Sequence, residues 1–352
     1  MNVNAPMTSA DWARVPSDHR PIIDPWHRAL KYLRVSVTDR CNYSCHYCRP
    51  VDEWHPVRRD SILSLEEIAR FVRLLAPHGV EKVRLTGGEP LLRKNICQLV
   101  DWLAHIPGIR EVAMTTNGHL LSRFAEPLYQ AGLTRLTVSI DTFDTARFQS
   151  ITGGDLERVL HGLEDAGEVG FENIGINVVG LNSVNRGQLA HIAQQCWGRG
   201  WTPRFIELMP IGNLPFQSSA ERMTADDILS ELALNGEYEP EDNGGRTSLS
   251  GPARYYRVLA GSHRGQRFGV ISPMTDTHFC KSCNRARLTA QGGFRGCLGN
   301  DEEVSLLSSL REGLDSGHIL GMVRSAMESK KDAHRMSEPN FVPLSKMIGL
   351  GG

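Results

Sequence analysis

Between Tyr32 and Met209 one pattern recurs: a short apolar run, then a longer stretch with helical periodicity. The runs lie at 32–37, 80–85, 112–115, 133–140, 174–179 and 203–209. Helical stretches follow at 64–76, 96–106, 120–131, 156–169 and 186–197. Ser64-Leu65-Glu66-Glu67 reads as a capping box that opens the first of them. Strands alternating with helices at this interval predict a parallel α/β architecture. The expected fold is an incomplete (β/α)6 barrel of the TIM type. Its irregular, chemistry-bearing residues fall just after the strands, the barrel face where active sites collect. Beyond Met209 the pattern breaks. Residues 212–252 mix Gly, Pro and charge around one helix at 224–234, then short strands are expected at 254–259 and 267–271 and helices at 305–312 and 318–330. The expected division is a flexible polar leader over 1–28, the barrel over 29–211, and a smaller C-terminal α+β region over 212–352.

Composition narrows the function. The 352 residues are 40% hydrophobic and 22% charged, with net charge −1. That balance suits a globular core and gives no basic footprint for nucleic acid or an anionic membrane. No apolar run reaches transmembrane length, and the N-terminus lacks the pattern of a secretory signal. Eight cysteines in a chain this long do not suggest a disulfide scaffold. Free thiols fit a reducing compartment, and the cytoplasm is the expected location.

Six of the cysteines form two groups. Cys41, Cys45 and Cys48 have spacing C-x3-C-x2-C in the loop after the first strand, with Tyr47 beside the last. Three local thiolates suit a [4Fe–4S] cube with one iron left open. Structural zinc is the competing reading, and the x3 spacing favours the cluster. Cys280, Cys283 and Cys297 form C-x2-C-x13-C. On spacing alone zinc, with His278 or His318 as fourth ligand, and a cluster stand even. Cys97 and Cys196 lie in helical stretches and read as buried small hydrophobes.

Gly87-Gly88-Glu89-Pro90 follows the second strand, where backbone can approach a ligand because no Cβ intervenes. By itself it is a plain turn, and it lacks a phosphate-loop pattern. Arg285 and Arg287 sit two and four residues after Cys283. On a strand they share a face, and two guanidiniums on one face match a polyphosphate. Arg34, Lys82 and Arg84 add further positive charge near strand ends.

Taken together, these motifs resemble the radical S-adenosylmethionine superfamily and, within it, the GTP 3′,8-cyclases of molybdenum-cofactor biosynthesis. The resemblance spans residues from about 30 to the end. It rests on 33–41, 83–93 with Gly87-Gly88-Glu89-Pro90 inside it, Thr115-Thr116-Asn117-Gly118, 138–141, Arg204-Phe205-Ile206-Glu207-Leu208-Met209, Cys283-Asn284-Arg285-Ala286-Arg287 and Gly351-Gly352. It implies two [4Fe–4S] clusters, one on Cys41, Cys45 and Cys48 and one on Cys280, Cys283 and Cys297. The first would bind S-adenosylmethionine and yield a 5′-deoxyadenosyl radical; the second would bind the guanine of GTP. Tyr47, Gly88, Ser139 and Met209 correspond to adenosylmethionine contacts. Arg34, Arg84, Thr115, Arg285 and Arg287 correspond to GTP contacts, and Lys82 to a further basic position. The implied reaction takes hydrogen from C3′ of the ribose and joins that carbon to C8 of guanine, a lyase activity. The cyclised product would pass to a cyclic pyranopterin monophosphate synthase. The resemblance further implies a homodimer, a Gly351-Gly352 tail that reaches into the active site, and a catalytic set of Lys82, Arg285, Arg287, Gly351 and Gly352.

Two departures stand out. Arg49-Pro50 replaces the usual Met-Pro, and Gly175 stands where the family carries a GTP-contacting lysine. Either substrate binding differs here or another cation takes that place. The alternatives are a different radical enzyme with an auxiliary cluster and a non-catalytic metal-binding protein. The second cysteine group with its adjoining arginines and the Gly-Gly end speak against both.

Overall fold

The computed structural model describes residues 19–48, 57–211, 219–241, 249, 251–300, 302–338, 341 and 350. The six apolar runs form strands β1 (Tyr32–Ser36), β2 (Lys82–Thr86), β3 (Glu111–Thr116), β4 (Arg135–Ser139), β5 (Gly175–Gly180) and β6 (Thr202–Glu207). Between them run helices α1 (Leu65–Leu75), α2 (Ile96–Ala104), α3 (Leu121–Gln130), α4 (Thr145–Thr152), α5 (Leu156–Val169) and α6 (Leu189–Trp197). The Ser64 capping box is present: Glu67 N donates to Ser64 Oγ at 3.1 Å, and Ser64 N donates to Glu67 Oε2 at 2.7 Å. Helix α5 starts on Asp155, which accepts from Glu157 N and Arg158 N, and stops at Gly170, whose φ of 112° a side chain would strain.

The C-terminal part adds α7 (Ala225–Leu232), β7 (Tyr238–Pro240), β8 (Arg254–Val258), β9 (Arg267–Ile271), β10 (Arg285–Leu288), β11 (Gly293–Arg295), β12 (Val304–Ser305), α8 (Leu307–Arg311) and α9 (Ser316–Glu328). Its strands do not form a sheet of their own. The order is β12-β11-β10-β1-β2-β3-β4-β5-β6-β9-β8-β7. Strand β10 pairs with β1 and β9 with β6, both parallel, so the parallel run continues past each edge of the barrel segment. Antiparallel strands finish both ends. Among the described residues β12 and β7 do not pair, so the sheet stays open, as an incomplete barrel requires.

Packing confirms that the two parts share a core. Phe71 of α1 is fully buried and meets the Phe294 ring of β11 edge-on, centroids 6.1 Å apart. Burying such a side chain is worth about 1.5–3 kcal/mol. Every residue of β2 is buried, as expected of a strand covered on both faces.

Three sequence expectations change. Residues 19–28 are not a flexible leader. Ile22, Asp24 and Arg28 are buried, and Ile23 bridges to Ala29. Helix α4 was not anticipated, because its eight residues show little apolar periodicity. It is set by its caps, Asp144 accepting from Arg147 N at one end and Gly153 at φ 68° at the other. Cys97 is only half-buried, whereas Cys196 is buried as expected.

Candidate active site

A cavity of about 300 Å³ runs inside the barrel along the parallel strands, from the loops after β1 and β2 to the start of β10. Its wall includes all six clustered cysteines: 41, 45 and 48 on one side, 280, 283 and 297 on the other. The two groups are some 230 residues apart in sequence, and register explains why they share one cavity. Tyr32 of β1 lies opposite Arg285 of β10, and Arg34 opposite Arg287. Cys41, Cys45 and Cys48 follow the C-terminal end of β1, whereas Cys280 and Cys283 precede β10 at the N-terminal end of the same parallel pair, so the cavity runs along the inside of the strands from one group to the other.

The first cysteine loop is gripped by the end of α4. Ser44 N donates to Thr152 O at 2.8 Å and His46 N to Ile151 O at 3.0 Å. The Tyr43 ring packs on Gly154 so closely that a Cβ there would overlap it. Its hydroxyl lies 3.2 Å from His119 Nδ1. Gly87 and Gly88 pass the backbone of 38–40: Gly88 N donates to Thr38 O and Glu89 N to Arg40 O, each at 2.7 Å. A Cβ at Gly88 would overlap the Arg40 carbonyl, so glycine is required.

Two buried carboxylates complete this end. Glu89 accepts from Thr116 Oγ1 at 2.7 Å, Asn117 N at 2.8 Å and Leu91 N at 3.0 Å. Burial nevertheless pushes its carboxyl up to about 7. Asp141 accepts from the Tyr47 hydroxyl at 2.7 Å and Val179 N at 2.8 Å, and burial pushes it to about 6. Burial, with Cys48 and Asp141 nearby, also holds the Cys45 thiol well above its ordinary range.

The second cysteine loop is held by cations. Arg28 Nη1 donates to Cys280 O at 2.9 Å and Asp332 O at 2.6 Å, while its Nε pairs with Asp24 at 2.6 Å. Lys330, 2% exposed at its side chain, donates to Arg285 O at 3.0 Å and reaches Cys283 Sγ at 3.8 Å. Burial alone would raise the Cys283 thiol, but Arg285 and Lys330 outweigh it and bring it down to about 6. Burial raises Cys280 and Cys297. The buried Glu207 of β6 ties this side to the barrel, accepting from Met274 N at 2.7 Å, Thr275 N at 3.1 Å and the Thr275 hydroxyl.

Most of the expected site residues line the cavity: Tyr47, Gly88, Ser139, Met209, Arg34, Thr115, Arg285 and Arg287 all do. Arg84 and Lys82 do not line the cavity, although register sets Arg84 level with Arg34 and Arg287 and Lys82 level with Arg285. Arg84 Nη1 donates to Thr115 Oγ1 at 3.1 Å and Thr137 Oγ1 at 3.0 Å. Lys82 pairs with Glu111 at 2.6 Å and donates to Leu249 O at 2.9 Å. Gly351, Gly352, Arg49 and Pro50 fall outside the described residues. Leu350 is buried, and its carbonyl accepts from Arg287 Nη1 at 3.1 Å.

At Gly175 another cation fills the space. A Cβ there would stand 2.9 Å from Arg204 Nη2 and 3.2 Å from Nε. Arg204 donates from Nη2 to Thr137 Oγ1 at 2.7 Å, and its buried Nε has no partner among the described residues.

Sequence reasoning assigned no role to Glu89, Asp141 or Lys330. The first two carried a signal, each standing within three residues of a strand's C-terminal end; Lys330 carried none. Zinc loses its support: His278 and His318 are exposed, and the cavity-lining His334 has Nε2 at 2.6 Å from Pro273 O. Three soft thiols at each end fit a cube with an open iron.

The comparisons agree. The Radical SAM superfamily matches residues 35–196, and the Molybdenum Cofactor Synthesis C family matches 201–336. A GTP 3′,8-cyclase of Syntrophomonas wolfei is 39% identical over 336 residues, 94% of this chain and all of that one. GTP 3′,8-cyclase 1 of Pseudomonas aeruginosa is 38% identical over 94% of this chain and 98% of its own length. Among solved structures, SuiB of Streptococcus suis bound to S-adenosylmethionine superposes with TM-score 0.57 at 14% identity, covering 84% of this chain and 68% of that one. The structure of anSMEcpe with bound AdoMet gives 0.53 at 14% identity, covering 90% of each. These two speak to fold alone. The full-length relatives and both family matches show that the chain belongs to the GTP 3′,8-cyclase family of the radical S-adenosylmethionine superfamily.

Proposed function

We propose that this protein is a GTP 3′,8-cyclase, a lyase forming (8S)-3′,8-cyclo-7,8-dihydroguanosine 5′-triphosphate in the first step of molybdenum cofactor biosynthesis. One observation carries the reading: two cysteine triplets share a cavity with Arg34, Arg285 and Arg287 in its wall. When bound, the first [4Fe–4S] cluster and S-adenosylmethionine, with an electron from an external reductant, would supply the 5′-deoxyadenosyl radical that takes the C3′ hydrogen and frees that carbon to attack C8, and the second cluster would hold the guanine.

The chain's own residues position and shield. Cys41, Cys45 and Cys48 would hold one cluster, and Cys280, Cys283 and Cys297 the other. Tyr47, Gly88, Ser139 and Met209 border the first triplet's end and would seat adenosylmethionine. Arg34, Thr115, Arg285 and Arg287 would hold GTP, the guanidiniums binding phosphate oxygens in pairs. Arg84 would fix Thr115 from behind, Lys82 would add charge to that layer, and Arg204 would supply the charge missing at Gly175. The Leu350–Arg287 contact supports a reading in which Gly351-Gly352 closes over the substrate. A sheltered cavity keeps water from a reactive carbon centre.

The product would pass to a cyclic pyranopterin monophosphate synthase. A homodimer, a cytoplasmic location and a division into a barrel over 29–211 and a C-terminal region over 212–352 belong to the same proposal. Among the described residues no helix is long and apolar enough to cross a membrane. The test is anaerobic reconstitution with iron and sulfide, then GTP, S-adenosylmethionine and reductant. The reading expects both 5′-deoxyadenosine and the cyclised GTP. Deoxyadenosine without a GTP-derived product would assign the chain to another radical reaction. No cleavage at all would overturn the enzyme reading.

A further inference from the structure

Tyr32 is set among the barrel's cations, and the reading above gives it no task. It is 1% exposed on β1. Its hydroxyl accepts from Arg84 Nε at 2.7 Å and also from Arg34. The Lys82 ammonium stands 4.9 Å from its ring centroid. Arg285 is its register partner on β10, and Arg287 and Arg204 also act on it electrostatically. The carboxylate of this layer, Glu111 of β3, is committed to Lys82 at 2.6 Å. Buried cations at this density need a counter-charge. A hydroxyl that accepts from two guanidiniums has both lone pairs engaged. Its own proton would then have to point among cations.

We propose that Tyr32 is the resident counter-ion of this layer, a phenolate in the ligand-free protein, which takes up one proton when a triphosphate binds. The inference rests on the reading that these cations receive a triphosphate. The step is simple: a proton from solvent bonds to the phenolate oxygen as phosphate oxygens take over the guanidiniums, and no other bond changes.

Electrostatics point the same way. Burial alone would raise the phenol, but Arg84, Arg34 and Lys82 outweigh it and bring Tyr32 down to about 7. A group depressed on folding stabilises above its unfolded value, near 10, and loses that contribution as pH falls through about 7. An arriving triphosphate cancels the field that depresses it, so binding and protonation are linked.

The experiment is calorimetry of GTP binding to the cluster-loaded protein at about pH 8, in two buffers of different ionisation enthalpy. The wild type should take up about one proton per GTP, and Tyr32→Phe about none. Equal uptake in both, or none in the wild type, would overturn the proposal. Guanosine is measured alongside. If it binds as tightly as GTP, the triphosphate reading itself fails. If GTP binds far more tightly but proton uptake ignores Tyr32, only the present inference fails. Should Tyr32→Phe not fold, ζ-¹³C-tyrosine NMR of the wild type decides. One of the seven tyrosines should resonate as phenolate without ligand and as phenol with GTP. Seven phenols in the ligand-free protein would refute the idea.

Discussion

The two ends of the cavity carry equal sets of thiols in opposite surroundings. At the first triplet the neighbours are Glu89, Asp141 and two tyrosines, and Cys45 is held well above its ordinary range. At the second, Arg285 and Lys330 bring Cys283 down to about 6. Ligand count is therefore not what separates their roles. The first end suits a zwitterion whose amino group can face carboxylates. The second, continuous with Arg34 and Arg287, suits a polyanion. Net charge near a cluster is also one of the levers that set its potential, so the cationic end should be the easier to reduce.

Removing a thiol from either end should break the comparison most completely. Cys48→Ser should abolish formation of 5′-deoxyadenosine. Cys297→Ser should leave the first cluster loaded, by iron content and electron paramagnetic resonance, yet lose GTP conversion. Full activity in Cys297→Ser would refute the assignment of the second end.

Next come the guanidiniums. Arg285→Ala or Arg287→Ala should weaken GTP binding roughly 10- to 100-fold, about 1.5–3 kcal/mol for a lost charge-assisted bond. Adenosylmethionine binding should be unchanged in the same titration. If both ligands weaken equally, the ends are not separate sites.

A backbone change should disturb the first end alone. In Gly154→Ala the new methyl meets the Tyr43 ring, a cost of about 1–3 kcal/mol. Denaturant melts should show that loss, and reconstitution should load the second cluster normally while the first loads poorly. Normal loading of both would show that Tyr43 does not set the loop.

The smallest effect should be Lys330→Met. Losing a buried positive charge 3.8 Å from Cys283 should lower the second cluster's potential by on the order of 60 mV, about 1.4 kcal/mol for one electron. The first cluster's potential should stay put in the same redox titration.

Much of this was legible in the chain. The strand–helix alternation and the cysteine spacings depend on local pattern, and β1 through β6 lie where apolar runs predict them. What escaped depends on distant partners. Helix α4 has little apolar stripe of its own and is positioned by caps and by the cysteine loop it grips. The segment 19–28 looks polar because its charges, Asp24 and Arg28, satisfy one another and the carbonyls of Cys280, Lys331 and Asp332 across the fold. The sequence places Arg84 and Lys82 as cations near strand ends, without their depth or partners. Register sets Arg84 level with Arg34 and Arg287, and Lys82 level with Arg285, yet neither lines the cavity because Arg84 is turned to Tyr32, Thr115 and Thr137 and Lys82 to Glu111. Gly175 looked like a missing charge, yet Arg204 from the next strand occupies its space.

The central claim is that one cavity both makes and uses the radical. GTP carrying deuterium at C3′, turned over with unlabelled S-adenosylmethionine and reductant, tests it directly. The account predicts deuterium in the 5′-deoxyadenosine released alongside the cyclised product. Product formed with unlabelled 5′-deoxyadenosine would contradict it.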